Sequence, residues 1–239
     1  MSTLVRCIGS VLFTGYLFLS VAVYGIVALL FGFVSRQLSY SVAVAWAGSV
    51  LYLLKILCRL DYVVEGAEHL DRDNCVVLQK HSSSWETIAQ FRIFPLQTWV
   101  LKRELLWAPI LGWVIRGYRP IAIDRKAGRA AVEQVIAQGQ ARLEQGYWVM
   151  IFPEGTRVAA GQVRRFGLSG ALLAIAAGRA IIPVAHNAGE FWPRRGWLKR
   201  PGMIRVIIGA PIETVGRDPR DLTNEVQQWI ETTVAAIGR

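Results

Sequence analysis

The 239-residue sequence begins with two long apolar segments and then changes to short apolar runs separated by polar stretches. Residues 7–35 contain no charged side chain and are rich in Leu, Val, Ile and Phe. A helix needs about 20 such residues to cross the hydrocarbon core of a bilayer, so this segment is long enough. Residues 37–54 are also uncharged, although their length is marginal for a full span. The pattern predicts a pair of hydrophobic, membrane-embedded or membrane-anchoring helices over residues 1–58.

Two arrangements of this helical pair agree with the pattern: a transmembrane hairpin, or a pair that dips into one leaflet. A cleaved signal peptide fits poorly, because the first apolar segment is much longer than the usual stretch of about 7–15 residues. Arg6 precedes the first segment, and Lys55 and Arg59 follow or close the second. If the pair is a hairpin, these cations favour a cytoplasmic location for the polar remainder of the chain.

From residue 59 to residue 239 the pattern predicts an α/β domain. Short apolar runs typical of buried strands alternate with segments, such as 132–143 and 222–230, whose apolar positions recur at helical spacing. This alternation favours a mixed, mostly parallel sheet flanked by helices. The predicted strands cover residues 62–64, 75–79, 98–101, 121–123, 148–152, 181–185 and 204–208.

Two segments of this domain have an apolar composition that is unusual for a solvent-facing surface. Residues 105–115 contain two tryptophans and only uncharged side chains, which is typical of a buried helix, an apolar channel or a membrane contact. Residues 191–200 interleave aromatic and cationic side chains, as bilayer interface anchors do. The alternative for the second segment is a solvated loop whose tryptophans pack into the core.

The charge distribution favours an anionic membrane surface as a partner. The chain has 27 Lys and Arg against 17 Asp and Glu, and 23 of the basic residues and all the acidic ones come after position 60. A moderately basic domain attached to hydrophobic helices suits such a surface. Nucleic-acid binding would leave the apolar N-terminal segments unexplained. Cys7, Cys58 and Cys75 are scattered, so the sequence predicts neither a disulfide framework nor a metal site.

His81 and Glu86 form the first group of residues with chemical potential. His81 follows a predicted strand, and its imidazole can remove a proton from a hydroxyl and return it to a leaving group. Glu86, about one helical turn further on, can accept the other imidazole N–H and fix the tautomer. The alternative is structural, because Ser83 and Glu86 also fit a capping box. A serine hydrolase is not indicated, since the chain has no Gly-x-Ser-x-Gly elbow.

The segment Phe-Pro-Glu-Gly-Thr-Arg at 152–157 is the second group, and it predicts a seat for an anion. Its proline ends a strand, and Gly155 allows a tight turn. Arg157 can bind a phosphate through two donors, and Glu154 can hold a hydroxyl or that arginine. Lys102 and Arg125 also follow predicted strands, at the sheet edge where open α/β folds bind ligands.

These motifs resemble those of the glycerolipid acyltransferase family, over about residues 60–210. That family has four sequence blocks in a fixed order. The first resembles residues 81–86, although the family usually has Asp where this chain has Glu86, which lengthens the reach to His81. The second resembles residues 122–125 preceded by 102–105, the third is the segment 152–157, and the fourth is similar to 181–184.

The resemblance implies the activity, the substrates and the roles of the site residues. A fatty acyl group would pass from acyl-CoA or acyl-carrier protein to the free sn-2 hydroxyl of lysophosphatidic acid, giving phosphatidic acid. His81 would be the base and Glu86 its partner. Further implied properties are a membrane location, in a bacterial inner membrane with the domain on the cytoplasmic side, and a thioester co-substrate in place of a cofactor or metal. The residues expected to bind the phosphate are Lys102, Arg125, Arg157, Glu154 and Gly155.

Three alternatives remain at the level of sequence. The same chemistry could act on another lysolipid, such as lyso-ornithine lipid. A membrane-bound lipid-binding or scaffolding protein with a decayed site would not need the intact segment 152–157. A lysophospholipase would need an activated nucleophile such as the serine of a Gly-x-Ser-x-Gly elbow, and the sequence has no such elbow.

Overall fold

The computed structural model describes residues 3–109, 111–124 and 126–238. Two long helices precede an alternating series of strands and shorter helices. The helices are α1 (Thr3–Gly32), α2 (Arg36–Cys58), α3 (Trp85–Ile93), α4 (Leu111–Gly117), α5 (Arg129–Glu144), α6 (Ser169–Ala177), α7 (Ala188–Phe191) and α8 (Pro219–Ile237). The strands are β1 (Leu60–Glu65), β2 (Val76–Gln79), β3 (Gln97–Lys102), β4 (Ile121–Ile123), β5 (Trp148–Ile151), β6 (Ile181–His186) and β7 (Gly202–Ile208).

The strands of the described chain form one sheet in the order β1-β7-β6-β2-β5-β3-β4. Every neighbouring pair is parallel except β6 and β7, so the prediction of a mixed, mostly parallel sheet is confirmed. The central strands β2, β5 and β6 are buried along their whole length, which explains their continuous apolar runs. Because β2, β5, β3 and β4 run parallel, the residues that follow them lie at one edge of the sheet.

Helices cover both faces of the sheet. On one face α5, α6 and α8 contribute buried side chains such as Val135, Leu173 and Val226. The helical spacing in residues 132–143 and 222–230 is therefore confirmed. On the other face, α2 and α3 contribute Leu54 and Ile88, and α1 adds a fully buried Phe13.

The N-terminal helices share a hydrophobic core with the rest of the chain. The predicted boundary at residues 58 and 59 coincides with the end of α2. Phe13 nevertheless packs in an edge-on contact with Trp192, at 5.4 Å between ring centroids. Lys199, which is buried, donates from its backbone N–H to Ser10 Oγ and from Nζ to Thr14 Oγ1. The helical pair is thus docked on the α/β domain.

Helix α2 lies along the domain for most of its length. Near its beginning, Tyr40 Oη donates to the carbonyl of Pro95, and Tyr118 Oη donates to the carbonyl of Ser39. Near its end, Leu54 and Cys58 are buried in the shared core. The helix rises about 27 Å from residue 40 to residue 58. Both ends of α2 therefore contact the same domain.

The two apolar segments of uncertain role differ in their burial. Of the interpretations left open for residues 105–115, the buried helix is excluded, because Trp107 is 72% exposed and Trp113 is 56% exposed. A short 3₁₀ turn and α4 form this segment at the surface. In residues 191–200, Phe191 and Trp192 are buried whereas Trp197 is 57% exposed. This loop therefore combines a tryptophan in the core with a tryptophan at the surface.

Candidate active site

His81 lies just beyond β2, where the backbone of Lys80 and His81 is hydrogen-bonded on every side. The Lys80 N–H donates to the carbonyl of Val184 and its carbonyl accepts from His186 Nε2. The His81 N–H donates to Glu154 Oε2 at 3.1 Å, and its carbonyl accepts from the Val158 N–H at 2.8 Å. These bonds hold the histidine backbone in one position at the edge of the sheet.

The predicted pair of His81 and Glu86 is in direct contact. His81 Nδ1 lies 2.9 Å from Glu86 Oε1. The same carboxylate oxygen accepts the backbone N–H groups of Ser82 and Ser83, at 2.9 and 2.8 Å. Ser83 Oγ accepts the Trp85 N–H at the start of α3. One oxygen atom therefore serves both as partner of the imidazole and as acceptor of the Ser83 N–H, which is the glutamate half of the predicted capping box; Ser83 Oγ accepts from Trp85 in place of Glu86.

The contact with Glu86 determines the tautomer of His81. Glu86 is fully buried. Burial by itself raises the pKa of this carboxyl, but the hydrogen bond from His81, the nearby imidazoles and the Ser83 N–H outweigh it and hold the pKa below its usual value. The ionised carboxylate can only accept, so Nδ1 donates. The unprotonated nitrogen, Nε2, is then the one available as a base.

The segment 152–157 forms the tight turn that its sequence predicted. The Gly155 N–H donates to the carbonyl of Phe152, and Gly155 has φ of +68°, a conformation that glycine adopts at little cost. The Phe152 ring stacks on the His81 ring, at 3.9 Å between centroids and 15° between planes. Phe152 thus fixes the plane of the imidazole.

Glu154 lies in a different place from the one expected for a substrate ligand. Its side chain is fully buried, with Lys80 Nζ at 3.2 Å from Oε1. Burial raises the pKa of Glu154 to about 7, although Lys80 and the His81 N–H favour its ionised form. Because the carboxylate faces the His81 backbone and Lys80, it supports the site from the interior. We therefore correct the expectation that it forms the surface of the anion seat.

Arg157 is oriented toward the loop that contains His81. Its Nη1 donates to Ser84 Oγ at 2.6 Å, and its carbonyl accepts from Arg194 Nη1 at 3.0 Å. Ser84 is the residue just before α3. The structure thus brings a half-buried guanidinium and an exposed arginine to the same side of the sheet as His81 and Glu86.

The two remaining predicted cations follow β3 and β4. Lys102 pairs in register with Ile123, so both strands end at the same edge. The Lys102 side chain is 46% exposed and lies 3.3 Å from Glu104. Arg125 lies outside the described residues. The assignment of these two residues to phosphate binding therefore stays a prediction.

Several residues at the site were missed by sequence reasoning. Lys80 precedes His81 in the first block, but nothing in the pattern distinguishes it from a surface lysine. It is buried, 2.7 Å from Glu231 Oε1 on α8. Glu231 lies 151 residues away along the chain. His186 and Ser84 were likewise recognisable only from their contacts.

The sequence of this chain is similar to those of known acyltransferases. The sequence model of the Acyltransferase family matches residues 61–187, more than half of the chain. The 1-acyl-sn-glycerol-3-phosphate acyltransferase of Pseudomonas aeruginosa is 41% identical over 195 residues, which are 80% of this chain and 76% of that protein. The human 1-acyl-sn-glycerol-3-phosphate acyltransferase alpha is 30% identical over 176 residues, 72% of this chain and 62% of that protein.

A solved structure has the same fold. The crystal structure of the 1-acyl-sn-glycerophosphate (LPA) acyltransferase PlsC from Thermotoga maritima superimposes with a TM-score of 0.81. The match covers 98% of both chains, including the N-terminal helices, at 23% sequence identity. At that identity the likeness concerns the fold.

Proposed function

Because the chain belongs to the glycerolipid acyltransferase family, we propose that it transfers a fatty acyl group from a thioester to the sn-2 hydroxyl of lysophosphatidic acid. The product is phosphatidic acid. The observation that carries this proposal is the contact of 2.9 Å between His81 Nδ1 and the buried carboxylate of Glu86. That contact prepares the opposite nitrogen of the ring as a base, and the His81 side chain is 15% exposed.

The reaction proceeds by direct attack of the lysolipid hydroxyl. His81 Nε2 removes the hydroxyl proton while the oxygen attacks the thioester carbonyl. The tetrahedral intermediate collapses with cleavage of the carbon–sulfur bond, and the imidazolium returns the proton to the leaving thiolate. Glu86 stabilises the imidazolium, and the stacked Phe152 ring keeps it in plane. The thioester is already activated, so the proposal requires no metal or cofactor.

Cations at the sheet edge bind the phosphate of the acceptor. Arg157 is the strongest candidate, since its hydrogen bond to Ser84 Oγ directs it toward the His81 loop. Guanidinium groups bind phosphate through paired donors, which also fix its orientation. Lys102 and Arg125 follow the neighbouring strands and complete the proposed anion seat, with Gly155 providing its turn. The acyl donor is acyl-CoA or acyl-carrier protein.

The bilayer is the proposed partner of the N-terminal helices. Among the described helices, α1 and α2 are long and apolar enough to cross a membrane. However, both ends of α2 contact the α/β domain, whereas a hydrocarbon core is about 30 Å thick. This geometry supports a pair that dips into one leaflet. The face of α1 that would contact lipid is exposed and includes Leu4, Ile8, Val11, Leu12, Phe18, Leu19, Ile26 and Leu30.

An N-terminal pair of this kind places the site next to its lipid substrate. The hydroxyl of lysophosphatidic acid lies at the membrane surface, and Arg157 and Arg194 lie on the same side of the sheet as His81. The exposed Trp197 agrees with a contact at the interface. We propose that the domain lies on the cytoplasmic side of a bacterial inner membrane, where anionic lipids attract basic groups such as Arg6, Lys55 and Arg59.

An acyl-transfer assay tests the function. Purified protein in detergent is incubated with lysophosphatidic acid and with either acyl-CoA or acyl-carrier protein thioester. We expect phosphatidic acid from wild type and no turnover from His81→Ala. His69→Ala is the matched control, because His69 is partly buried against the Ile208 carbonyl and should keep its activity. Acylation of lyso-ornithine lipid in preference to lysophosphatidic acid, or an active His81→Ala, would contradict the proposal.

A further inference from the structure

Three charged side chains, those of Lys80, Glu154 and Glu231, form a row on the buried side of the His81 backbone. Lys80 Nζ is 3.2 Å from Glu154 Oε1 and 2.7 Å from Glu231 Oε1. The Lys80 side chain is 3% exposed, Glu154 is fully buried, and Glu231 is 17% exposed. The three residues come from the ends of β2 and β5 and from the helix α8. The match to the family model ends at residue 187, so α8 lies beyond it.

The row ends on the backbone of the catalytic base. Glu154 accepts the His81 N–H through Oε2 at 3.1 Å. On the other side of the peptide, His186 Nε2 donates to the Lys80 carbonyl at 2.8 Å. The His186 Nδ1 accepts the Ala188 N–H, so the proton of this imidazole is on Nε2. The position of the His81 backbone therefore depends on the buried charges around Lys80.

A buried charge is costly unless it is paired, and each member of this row depends on the others. Lys80 without Glu231 would have a single carboxylate partner. Glu154 without Lys80 would be a buried carboxylate without a cation, and its pKa is already raised to about 7 by burial. A change at Glu231 on α8 therefore reaches the His81 N–H through Lys80 and Glu154.

We propose that Glu231 is a positioning residue for the acyl transfer, which orients His81 through Lys80 and Glu154. This inference rests on the proposed function, since it assigns His81 as the base. Helix α8 then serves the active site as well as the hydrophobic core. The inference differs from a general stabilising role, because it predicts a loss of catalytic rate that depends on Lys80.

The first test compares two substitutions on the same helix. Glu231→Gln keeps the size of the side chain and removes its charge. We expect it to lower kcat at the optimal pH about tenfold with little change in the KM for lysophosphatidic acid, because small displacements of a catalytic group are costly. Glu225→Gln is the control: Glu225 is exposed, pairs with Arg217 at the surface, and should leave kcat unchanged. A Glu231→Gln enzyme with the kcat of wild type overturns the proposal.

The second test is a double-mutant cycle with Lys80→Met. If Glu231 acts through Lys80, the double variant has the kcat of Lys80→Met alone. If the two losses multiply, the residues act independently and the proposal is wrong. Should Lys80→Met fail to fold, the comparison of Glu231→Gln with Glu225→Gln decides the question by itself. An inactive wild type would contradict the proposed function, whereas an active wild type with an unaffected Glu231→Gln variant would contradict only this inference.

The pH profile gives a further readout that a structural role would not change. Removing the negative charge of Glu231 disfavours protonation of its neighbours, so the acid limb of kcat/KM moves to lower pH. Removing the positive charge of Lys80 moves the limb to higher pH. The row itself consists of Lys80, Glu154 and Glu231, and the titratable groups that lie next to it are His81, His186 and Glu86. Limbs that shift in the same direction in both variants would contradict the proposed network.

Discussion

His81 Nδ1 and Glu86 Oε1 are 2.9 Å apart, and the same oxygen accepts the N–H groups of the two residues that follow His81. The carboxylate therefore orients the imidazole and also shapes the loop that presents it. The glutamate side chain reaches the imidazole from the second residue of α3. Glu86 thus fixes ring and backbone together.

Replacing Glu86 by Gln separates the charge of the carboxylate from its hydrogen bonds. A glutamine oxygen can still accept the Ser82 and Ser83 N–H groups, but it cannot stabilise an imidazolium by charge. We expect kcat to fall about 100-fold or more, by analogy with the acid of a catalytic triad. Steady-state kinetics measure the rate, and thermal unfolding in detergent shows whether the fold is retained. A folded variant with wild-type kcat would leave Glu86 with the capping role alone.

Replacing Arg157 by Ala should weaken the binding of the acceptor. Hydrogen bonds to a charged group contribute about 1.5–3 kcal/mol, so we expect the KM for lysophosphatidic acid to rise at least about tenfold. Arg205→Ala is the matched control, since Arg205 is an exposed arginine paired with Glu65 on the edge strand β1. Ser84→Ala should raise the KM by a smaller amount, because it frees the Arg157 side chain. An unchanged KM in Arg157→Ala would place the phosphate elsewhere.

Glu154 makes stability depend on pH. Its pKa is raised to about 7 in the folded chain, against about 4.3 in an unfolded one, because of burial. The folded state therefore binds more protons between these values, and its stability falls as the pH rises through this window. The full cost, present above pH 7, is about 4 kcal/mol.

The comparison with Glu154→Gln isolates this contribution, since glutamine does not titrate. Thermal unfolding of both proteins in detergent should show the variant gaining stability relative to wild type from about pH 4.5 to pH 7. A difference between the two proteins that stays constant over this range would contradict the assignment of the titration to Glu154.

Gly189 on α7 packs directly against the loop that follows His81. A Cβ at this position would lie 2.8 Å from Ser82 Cβ and 2.9 Å from Ser82 Oγ. Gly189→Ala should therefore displace Ser82, whose N–H binds Glu86, and lower both kcat and the melting temperature. Gly15→Ala is the control, because a Cβ there meets no heavy atom within 4 Å. Equal activity of the two variants would show that the loop tolerates the displacement.

Much of the fold could be predicted from the sequence because its signals are local. The continuous apolar runs of β2, β5 and β6 reflect burial on both faces, and the helical spacing of Val226 and Ile230 reflects one buried face. The exposure of Trp107 and Trp113 was not predictable, since an apolar segment looks the same whether it faces the core or a membrane.

The sequence by itself determined which residues are chemically competent and where the chain turns. The contact between His81 and Glu86 and the turn at 152–157 each involve residues only a few positions apart. Their spacing in the sequence therefore predicts their geometry. Only the tertiary structure decided that Glu154 faces inward and that Glu231 on α8 reaches Lys80. His81 and Glu154 are 73 positions apart in the chain, and Lys80 and Glu231 are 151 positions apart. The packing of the mostly parallel sheet and its helices brings them together. Local composition does not record which buried charges the fold brings together.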